Sequence, residues 1–589
     1  MIKGYDFMLG EIIEISNNKL IVEKDKNVKH DIINLYTKIM DNDRNFIGEI
    51  TGLSKNNIEI NLLGEIQNNK FIYGVNRKPS FNAKVELLSK EFVNLLFGLN
   101  DYNPKKSLYL GKSALYEDVP IFANINRLFS NHLVVLGNTG SGKSCGMARI
   151  LQNLFYKKDS NPENATFFII DAYGEYHNAF SKIDAINKNL KFKNYTSDTN
   201  SKEKLINIPL WLLSLDDICL LLGVTSKNQI PIVEKALKIV NIFSREEDSV
   251  IKYKNSIIAK SLLDIFINGN TPAQIRDQIF SVLSRYNTKE LNLDTKIFVP
   301  GYTRPLKQCL MIDDTGKIRE MSLVIDFLQQ YVLDEMNLTF PDGSYIYTLK
   351  DLLYAFDFAL IDEGLLNGDK IYNLAHELRV RLSSIIDSDC YKYFDIKNHF
   401  TKKEFFNNLV YEDDKKVQVI NLNLNNLDDR FAKVVAKIYS KFLFDYVKYE
   451  VDRGEIPIHI VLEEAHRYVQ NDSDVEILGY NIFERIAKEG RKYAILLNLI
   501  SQRPSELSQT VLSQCSNFIV FKITHPNDID YIKPMIPFVD EEMIEKIKNL
   551  QIGSCLNFGS AFNLPTITNV DIATPAPSSS SCDISNKWF

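Results

Sequence analysis

The chain is poor in the features that mark secreted, zinc-stapled or membrane-spanning proteins. It has 7 cysteines in 589 residues, an odd count scattered singly, with no Cys-x-x-Cys pair and no Cys/His cluster at zinc spacing. That excludes a disulfide framework and a zinc module, and it suits reduced thiols in a cytoplasmic protein. No apolar run approaches the roughly 18 residues of a membrane span. The opening Met1-Ile2-Lys3-Gly4-Tyr5-Asp6 lacks the shape of a signal peptide. Positive charge is not in excess either: 69 Lys and Arg stand against 75 Asp and Glu, a formal charge of −6. A basic footprint over the whole surface is therefore excluded, and any DNA-binding surface must be local, as inside a ring channel.

What is present is ordinary globular composition, 45% hydrophobic and 24% charged. The length suggests about three to five domains. One stretch stands out: Gly137-Asn138-Thr139-Gly140-Ser141-Gly142-Lys143-Ser144 fits G-x-x-x-x-G-K-[ST]. It follows the apolar run His132–Leu136, which reads as a buried strand, and precedes the helical spacing of Cys145–Phe155. Strand, glycine-rich loop and helix are the context a phosphate-binding loop needs. Its glycines let successive N–H groups line an anion site at a helix N-terminus, reaching from Gly137 to Cys145. Lys143 is placed to reach the β- and γ-phosphates of ATP, and the Ser144 hydroxyl to reach Mg²⁺.

The second half of such a site is expected at Ile458–Leu462 followed by Glu463-Glu464-Ala465-His466. A buried strand here delivers two carboxylates. Glu463 would order the magnesium shell through water, and Glu464 would polarise the attacking water. Asp171, ending the apolar strand Thr166–Ile170, is a further metal-side candidate, because α/β sheets place ligand chemistry at strand C-termini. Gln502 ends the strand Tyr493–Ile500 and suits a sensor of the γ-phosphate. Arg491 begins the same strand at the opposite sheet end, so it is badly placed for its own nucleotide and could serve a neighbour's as an arginine finger. Arg485 competes for that role. His466 reads as a loop-stabilising residue.

Along the chain, Gly-Glu-Ile recurs at Gly10-Glu11-Ile12, Gly48-Glu49-Ile50 and Gly64-Glu65-Ile66, among short strand signals such as Lys19–Val22 and Asn57–Asn61. This argues for a small N-terminal β-barrel over 1–95. A connector of edge strands fills 96–130. The first half of an α/β nucleotide core spans 131–210, a helical insertion 211–400 and the second half 401–560. In the insertion, helices are expected over 229–243, 273–286, 322–336, 349–360 and 369–386. Ser214-x-x-Asp217 and Thr348-x-x-Asp351 read as helix caps. The Pro/Ser-rich 561–589 reads as an extended tail unless a partner holds it, with Trp588-Phe589 as an anchor. Lysines at 392, 397, 402 and 403 cluster, but such clusters are usually solvated faces.

Taken together, these pieces resemble the HerA family of hexameric DNA-translocating ATPases. The matching segments are Phe129–Ser144, Ile170–Tyr176, Val461–His466, Lys488–Tyr493 and Ile500–Pro504. The resemblance implies a RecA-like P-loop core, a barrel similar to that of rotary ATP synthase subunits, and a C-terminal brace on an adjacent protomer. It also implies a homohexamer threading double-stranded DNA with ATP and Mg²⁺. A separate effector, a nuclease or a sirtuin-type NAD hydrolase, would dock through the barrel for DNA end processing or phage defence. Two other readings remain open: a nucleotide-switched ring scaffold that activates an effector without translocating, and a conjugation or secretion motor of the same superfamily.

Overall fold

The computed structural model describes residues 8–588 apart from 27, 29–31, 117, 158–159, 269–270, 334–344, 368, 537–540 and 580–583. The end of the helix expected over 322–336 and the terminal Phe589 lie outside the described residues.

The N-terminal strands are β1 (Met8–Ser16), β2 (Lys19–Lys24), β3 (Tyr36–Asp41), β4 (Arg44–Leu53), β5 (Asn57–Gln67), β6 (Lys70–Tyr73) and β7 (Lys84–Leu87). They pair in the order β2-β1-β7-β3-β4-β5-β6, and β2 also pairs with β5, which closes six of them into a barrel. The Gly-Glu-Ile repeat has a physical cause. A Cβ on Gly10 would sit 1.7 Å from the Glu23 carbonyl oxygen, on Gly48 2.4 Å from Ile60, and on Gly64 2.2 Å from the Ile72 carbonyl oxygen. Each glycine therefore marks a point where a tightly curved barrel brings two strands too close for a side chain. Leu9, Val22, Ile39, Phe46, Ile50, Ile60 and Val85 fill the interior with no exposed surface.

Beyond the barrel come β8 (Ser107–Ser113), β9 (Pro120–Asn124), β10 (His132–Leu136), β11 (Thr166–Asp171), β12 (Phe192–Thr196) and β13 (Lys204–Leu205). Hairpins β14 (Lys296–Val299) with β15 (Tyr302–Pro305), and β16 (Tyr411–Glu412) with β17 (Lys415–Lys416), stand apart. The chain then supplies β18 (Val419–Asn423), β19 (Ile458–Leu462), β20 (Ile495–Ser501), β21 (Cys515–Val520), β22 (Ser554–Gly559) and β23 (Thr566–Val570).

These build one twelve-stranded sheet, ordered β13-β12-β18-β11-β19-β20-β10-β21-β22-β23-β8-β9. Its first eight strands are parallel and its last four antiparallel. Every residue of β10 and β19 is buried, as a parallel strand covered on both faces requires. Val134 and Leu136 point to one core while Leu133 and Val135 point to the other. The expected connector strands become the far edge of this sheet. The expected tail differs more: Thr566–Val570 is a paired strand, not free chain, because β22 and β8 offer ladders on both its sides.

The helical insertion runs from Leu215–Leu222 through Ile230–Phe243, Asp248–Asn268, Pro272–Arg285, Met321–Gln329 and Leu349–Asn367 to Asp369–Asp387. Both capping boxes form: Ser214 with Asp217, and Thr348 with Asp351. The insertion shares one hydrophobic core with one face of the sheet. Lys392 of the lysine cluster pairs with Asp389 at 3.0 Å, as a solvated face would.

The helix after the glycine-rich loop, Lys143–Phe155, lies against Phe521, whose ring would be 2.5 Å from a Cβ on Gly146. Overpacking of this kind costs about 1–3 kcal/mol. Gly146→Val is therefore expected to lower the melting temperature and weaken ATP binding together, by pushing the helix and its loop off the sheet. Unchanged nucleotide affinity in a destabilised Gly146→Val protein would show that the loop position does not depend on this contact.

Candidate nucleotide-binding site

Parallel pairing sets the C-terminal ends of four strands in one row. Leu136 of β10 faces Ser501 of β20, Leu462 of β19 faces Leu499, and Ile170 of β11 faces Leu462. The loop after β10 uses Gly137, Gly140 and Gly142 at φ of 155°, 73° and 106°, where a glycine is needed for the backbone to double back. The loop is tied down by Asn138 donating to the Thr524 hydroxyl at 2.7 Å and Ser141 donating to the Asn138 carbonyl at 2.7 Å. Thr139 donates to the Gln502 side chain.

The two halves of the sequence-predicted site meet. Ser144 Oγ donates to Glu463 Oε1 at 3.2 Å, although 319 residues separate them. Lys143 is buried and folded back onto its own loop, donating to the Asn138 carbonyl at 3.1 Å. Burial lowers its affinity for a proton, while Glu464, Glu463 and Glu175 raise it. Glu464 sits in the left-handed region at φ 50° and ψ 50°, a strained geometry for a side-chain-bearing residue that is concentrated at functional sites. Its Oε2 is buried, with His466 Nδ1 3.2 Å away. His466 Nδ1 lies 3.2 Å from Ser501 Oγ, a loop contact.

Asp171, expected on the metal side, is used differently. It is fully buried, and its oxygens accept from the backbone N–H of Glu175 and of Tyr176 at 3.0 Å each, and from Asn421 at 3.2 Å. It pins the turn that follows β11. The carboxylate this turn sends towards Ser144 is Glu175, whose proton affinity is raised by burial and eased by the nearby Ser144 hydroxyl and Lys143. One Glu175 oxygen is buried with no partner. Tyr176 donates its hydroxyl to Glu463 Oε2 at 2.7 Å. The sequence segment Asp171–Tyr176 carried both residues in view; only the fold shows that the reach falls to Glu175 and Tyr176. Cys145 faces the C-terminal segment, its Sγ accepting from Ala573 N at 3.4 Å.

Two arginines remain. Arg485 is engaged within the chain, 3.8 Å from Glu489 and over the rings of Phe444 and Tyr480. Arg491 is exposed in the turn before β20, and among the described residues it has no ion pair.

Among the described residues, no set of three or more His, Cys, Asp or Glu side chains encloses a metal by itself. A serine hydroxyl with two carboxylates, Glu463 and Glu175, the latter with one buried oxygen lacking a hydrogen-bond partner, is instead the donor set Mg²⁺ takes when phosphates and water complete its shell. The residues fit a magnesium-bound triphosphate.

Comparison with known proteins agrees with this geometry. Residues 108–304 match the sequence profile described as "Helicase HerA, central domain". Over this central segment, and at lower identity over most of its length, the chain is similar to HerA helicases. The probable DNA double-strand break repair helicase HerA of Methanocaldococcus jannaschii is 24% identical over 517 residues, covering 87% of this chain and 84% of that one. The DNA double-strand break repair helicase HerA of Pyrococcus furiosus is 22% identical over 520 residues, covering 87% and 76%. Among solved structures, VirB4 of Thermoanaerobacter pseudethanolicus aligns at 15% identity over 80% of this chain and 98% of that chain, with a TM-score of 0.43. The site and these similarities are those of an ATP hydrolase with a RecA-like P-loop core.

The site gathers three glutamates, Glu175, Glu463 and Glu464, around one lysine, Lys143. Burial pushes Glu463 up to about 8, with Glu464 adding to the rise and the Tyr176 hydroxyl opposing it. An unfolded glutamate titrates near about 4.3. Between these values the folded chain holds a proton the unfolded chain has lost, so stability falls as pH rises across that window. The nucleotide-free protein is thus expected to melt lower at pH 8 than at pH 6. Glu463→Gln should flatten the difference. Calorimetric titration with Mg–ATP near pH 7, in buffers of unequal protonation heat, should record proton release from the wild type and less from Glu463→Gln. Equal release from both would contradict the assignment.

Proposed function

We propose that the chain is the subunit of a homohexameric ring that translocates double-stranded DNA by hydrolysing ATP, and that it works with an effector protein. The observation that carries this reading is the 3.2 Å contact from Ser144 to Glu463. It supports one shared site for the glycine-rich loop and the paired carboxylates. The backbone N–H groups of 137–145 and Lys143 would cradle the phosphates, Lys143 exchanging the Asn138 carbonyl for phosphate oxygen. Ser144 and Glu463, with Glu175, would hold the ligand shell of Mg²⁺, which supplies neutralising charge on the phosphates. Glu464 would orient and polarise the attacking water. Gln502 would leave Thr139 when a γ-phosphate takes its place.

Arg491 supports the ring. From Ile495 to Ser501 β20 runs the depth of the sheet, about 20 Å at roughly 3.3 Å per residue. That is beyond the reach of an arginine side chain, so Arg491 cannot serve its own subunit's nucleotide. A neighbour in a ring offers the partner site it lacks, and its exposure leaves it available. The engagement of Arg485 within the chain favours Arg491. The N-terminal barrel carries no chemistry of its own and would dock the effector, a nuclease or an NAD hydrolase. DNA as the track rests on relatives named as DNA double-strand break repair helicases. Among the described residues, no helix is long and apolar enough to cross a membrane.

Lys143→Ala and Glu464→Gln are each expected to lower kcat by about 10²–10⁴-fold. An Arg491→Ala protein mixed with Glu464→Gln should regain activity above either alone, since one interface in the mixed ring joins an intact arginine to an intact glutamate. Full-rate hydrolysis by an isolated monomer would refute the trans arginine. Duplex DNA should stimulate hydrolysis, with the stimulation falling steeply as salt rises. A ring that assembles normally with Lys143→Ala and ignores DNA would instead be a scaffold.

A further inference from the structure

The segment after β23 does not leave the molecule. It crosses the back of the phosphate-loop helix and ends on the catalytic turn. Ala573 N–H meets Cys145 Sγ. Thr574 N–H donates to Gln152 Oε1 at 2.8 Å, and Gln152 Nε2 donates to the Pro575 carbonyl at 2.8 Å. Asn178 donates to the Ala576 carbonyl at 2.8 Å, and Ser578 N–H donates to the Glu175 carbonyl at 2.9 Å. One short run of backbone thus bonds first to the helix that carries Ser144 and then to the turn that carries Glu175.

Gln152 is the centre of this arrangement. It lies two turns after Ser144, about 12 Å along the helix at roughly 1.5 Å per residue, and it is fully buried. A glutamine amide within an apolar helix face must be hydrogen-bonded on both sides. Here Oε1 is satisfied by the C-terminal segment alone, and Nε2 is shared between that segment and the Ala179 carbonyl at 3.2 Å. The same side chain therefore reads the tail and the residues just beyond the Glu175 turn. Packing alone does not require a polar residue at this position; the two-sided match to Thr574 and Pro575 does.

We propose that residues 571–579 form a strap that holds the Glu175 turn in register with the phosphate-loop helix, and that Gln152 is its positioning residue. The strap belongs to the same chain as the site it serves. It acts on the hydrolysis step rather than on nucleotide capture: its one contact with the phosphate cradle is to the Cys145 side chain at the cradle's end, while its other bonds go to Gln152, Asn178 and the Glu175 turn. The proposal rests on the hydrolytic role of the site, so a wild-type protein with no ATPase activity would count against that role and not against the strap.

The test compares kcat and the KM for ATP in the full chain, a chain ending at Val570, Gln152→Ala, and both changes together. Truncation and Gln152→Ala are each expected to lower kcat by about tenfold or more, with KM within about twofold, as loss of orientation does. Gln152→Ala should add nothing in the truncated chain. A synthetic peptide of residues 571–579 should restore activity to the truncated protein but not to the truncated Gln152→Ala protein. Wild-type kcat after truncation would overturn the proposal, as would an equal Gln152→Ala effect with and without the tail. If the truncated chain fails to fold, Ser578→Pro removes the N–H that meets Glu175, while Ser578→Ala keeps it. The proline variant should lose kcat and the alanine variant should not; equal rates in these two would overturn the proposal. Rings mixed from truncated and Gln152→Ala subunits should stay impaired. Recovery there would assign the strap to a neighbour and overturn the within-chain placement.

Discussion

The hydrogen bond from Ser144 to Glu463 is the constraint on which the rest depends. It joins the end of the glycine-rich loop to the end of β19, and it exists only because the sheet order places a single strand, β20, between β10 and β19. Parallel strands in register bring their C-terminal ends to one edge, so every loop leaving that edge faces the same space. The long insertion does not disturb this. It leaves the sheet after β13 and returns at β18, and its helices share a core with one face, so its size adds bulk beside the site without altering strand order.

The electrostatics follow from that convergence. Lys143 sits among Glu175, Glu463 and Glu464, with burial lowering the charge on lysine and glutamates alike. Burial thus opposes ionisation of the acids and of the base together. Lys143 donates to its own loop, Thr139 donates to Gln502, Glu464 lies against His466, and one oxygen of Glu175 is buried without a hydrogen-bond partner. Each of these contacts is one a magnesium-bound triphosphate would replace with a stronger one. Binding energy can then be drawn from releasing strained and unsatisfied groups as well as from new contacts.

Much of this was legible in the sequence, for reasons that can be named. The β10 and β19 runs are buried end to end, so apart from one histidine in each they read as apolar stretches, and the glycines and paired glutamates stand directly at their ends. The helix Asp248–Asn268 was not legible. Asn255, Ser256 and Ser261 occupy its fully buried positions, which blurs the apolar stripe that periodicity relies on. The turn after β11 showed two acids four residues apart. Nothing local decides that Asp171 caps backbone N–H groups while Glu175 reaches Ser144, because the deciding partners, Asn421 and Ser144, come from other strands and loops. The Pro/Ser composition of the last residues looked like free chain. Its backbone is instead satisfied by Gln152, Asn178 and Glu175, partners that lie some 400 residues earlier and leave no mark on the tail's own composition.

The opposite sheet edge supplies the last element. His132 begins β10 and is fully buried; its Nδ1 accepts from Leu497 N–H at 2.9 Å, and its Nε2 lies 3.0 Å from the Ala487 carbonyl. Those partners fix the tautomer with the proton on Nε2, and burial lowers the ring to about 4, so it stays neutral at physiological pH. The strand that carries the glycine-rich loop is thereby fastened to β20 and to the helix Ile482–Glu489, whose following turn holds Arg491. One buried imidazole therefore ties the strand before the glycine-rich loop to the elements on either side of the Arg491 turn, the helix ending at Glu489 and β20.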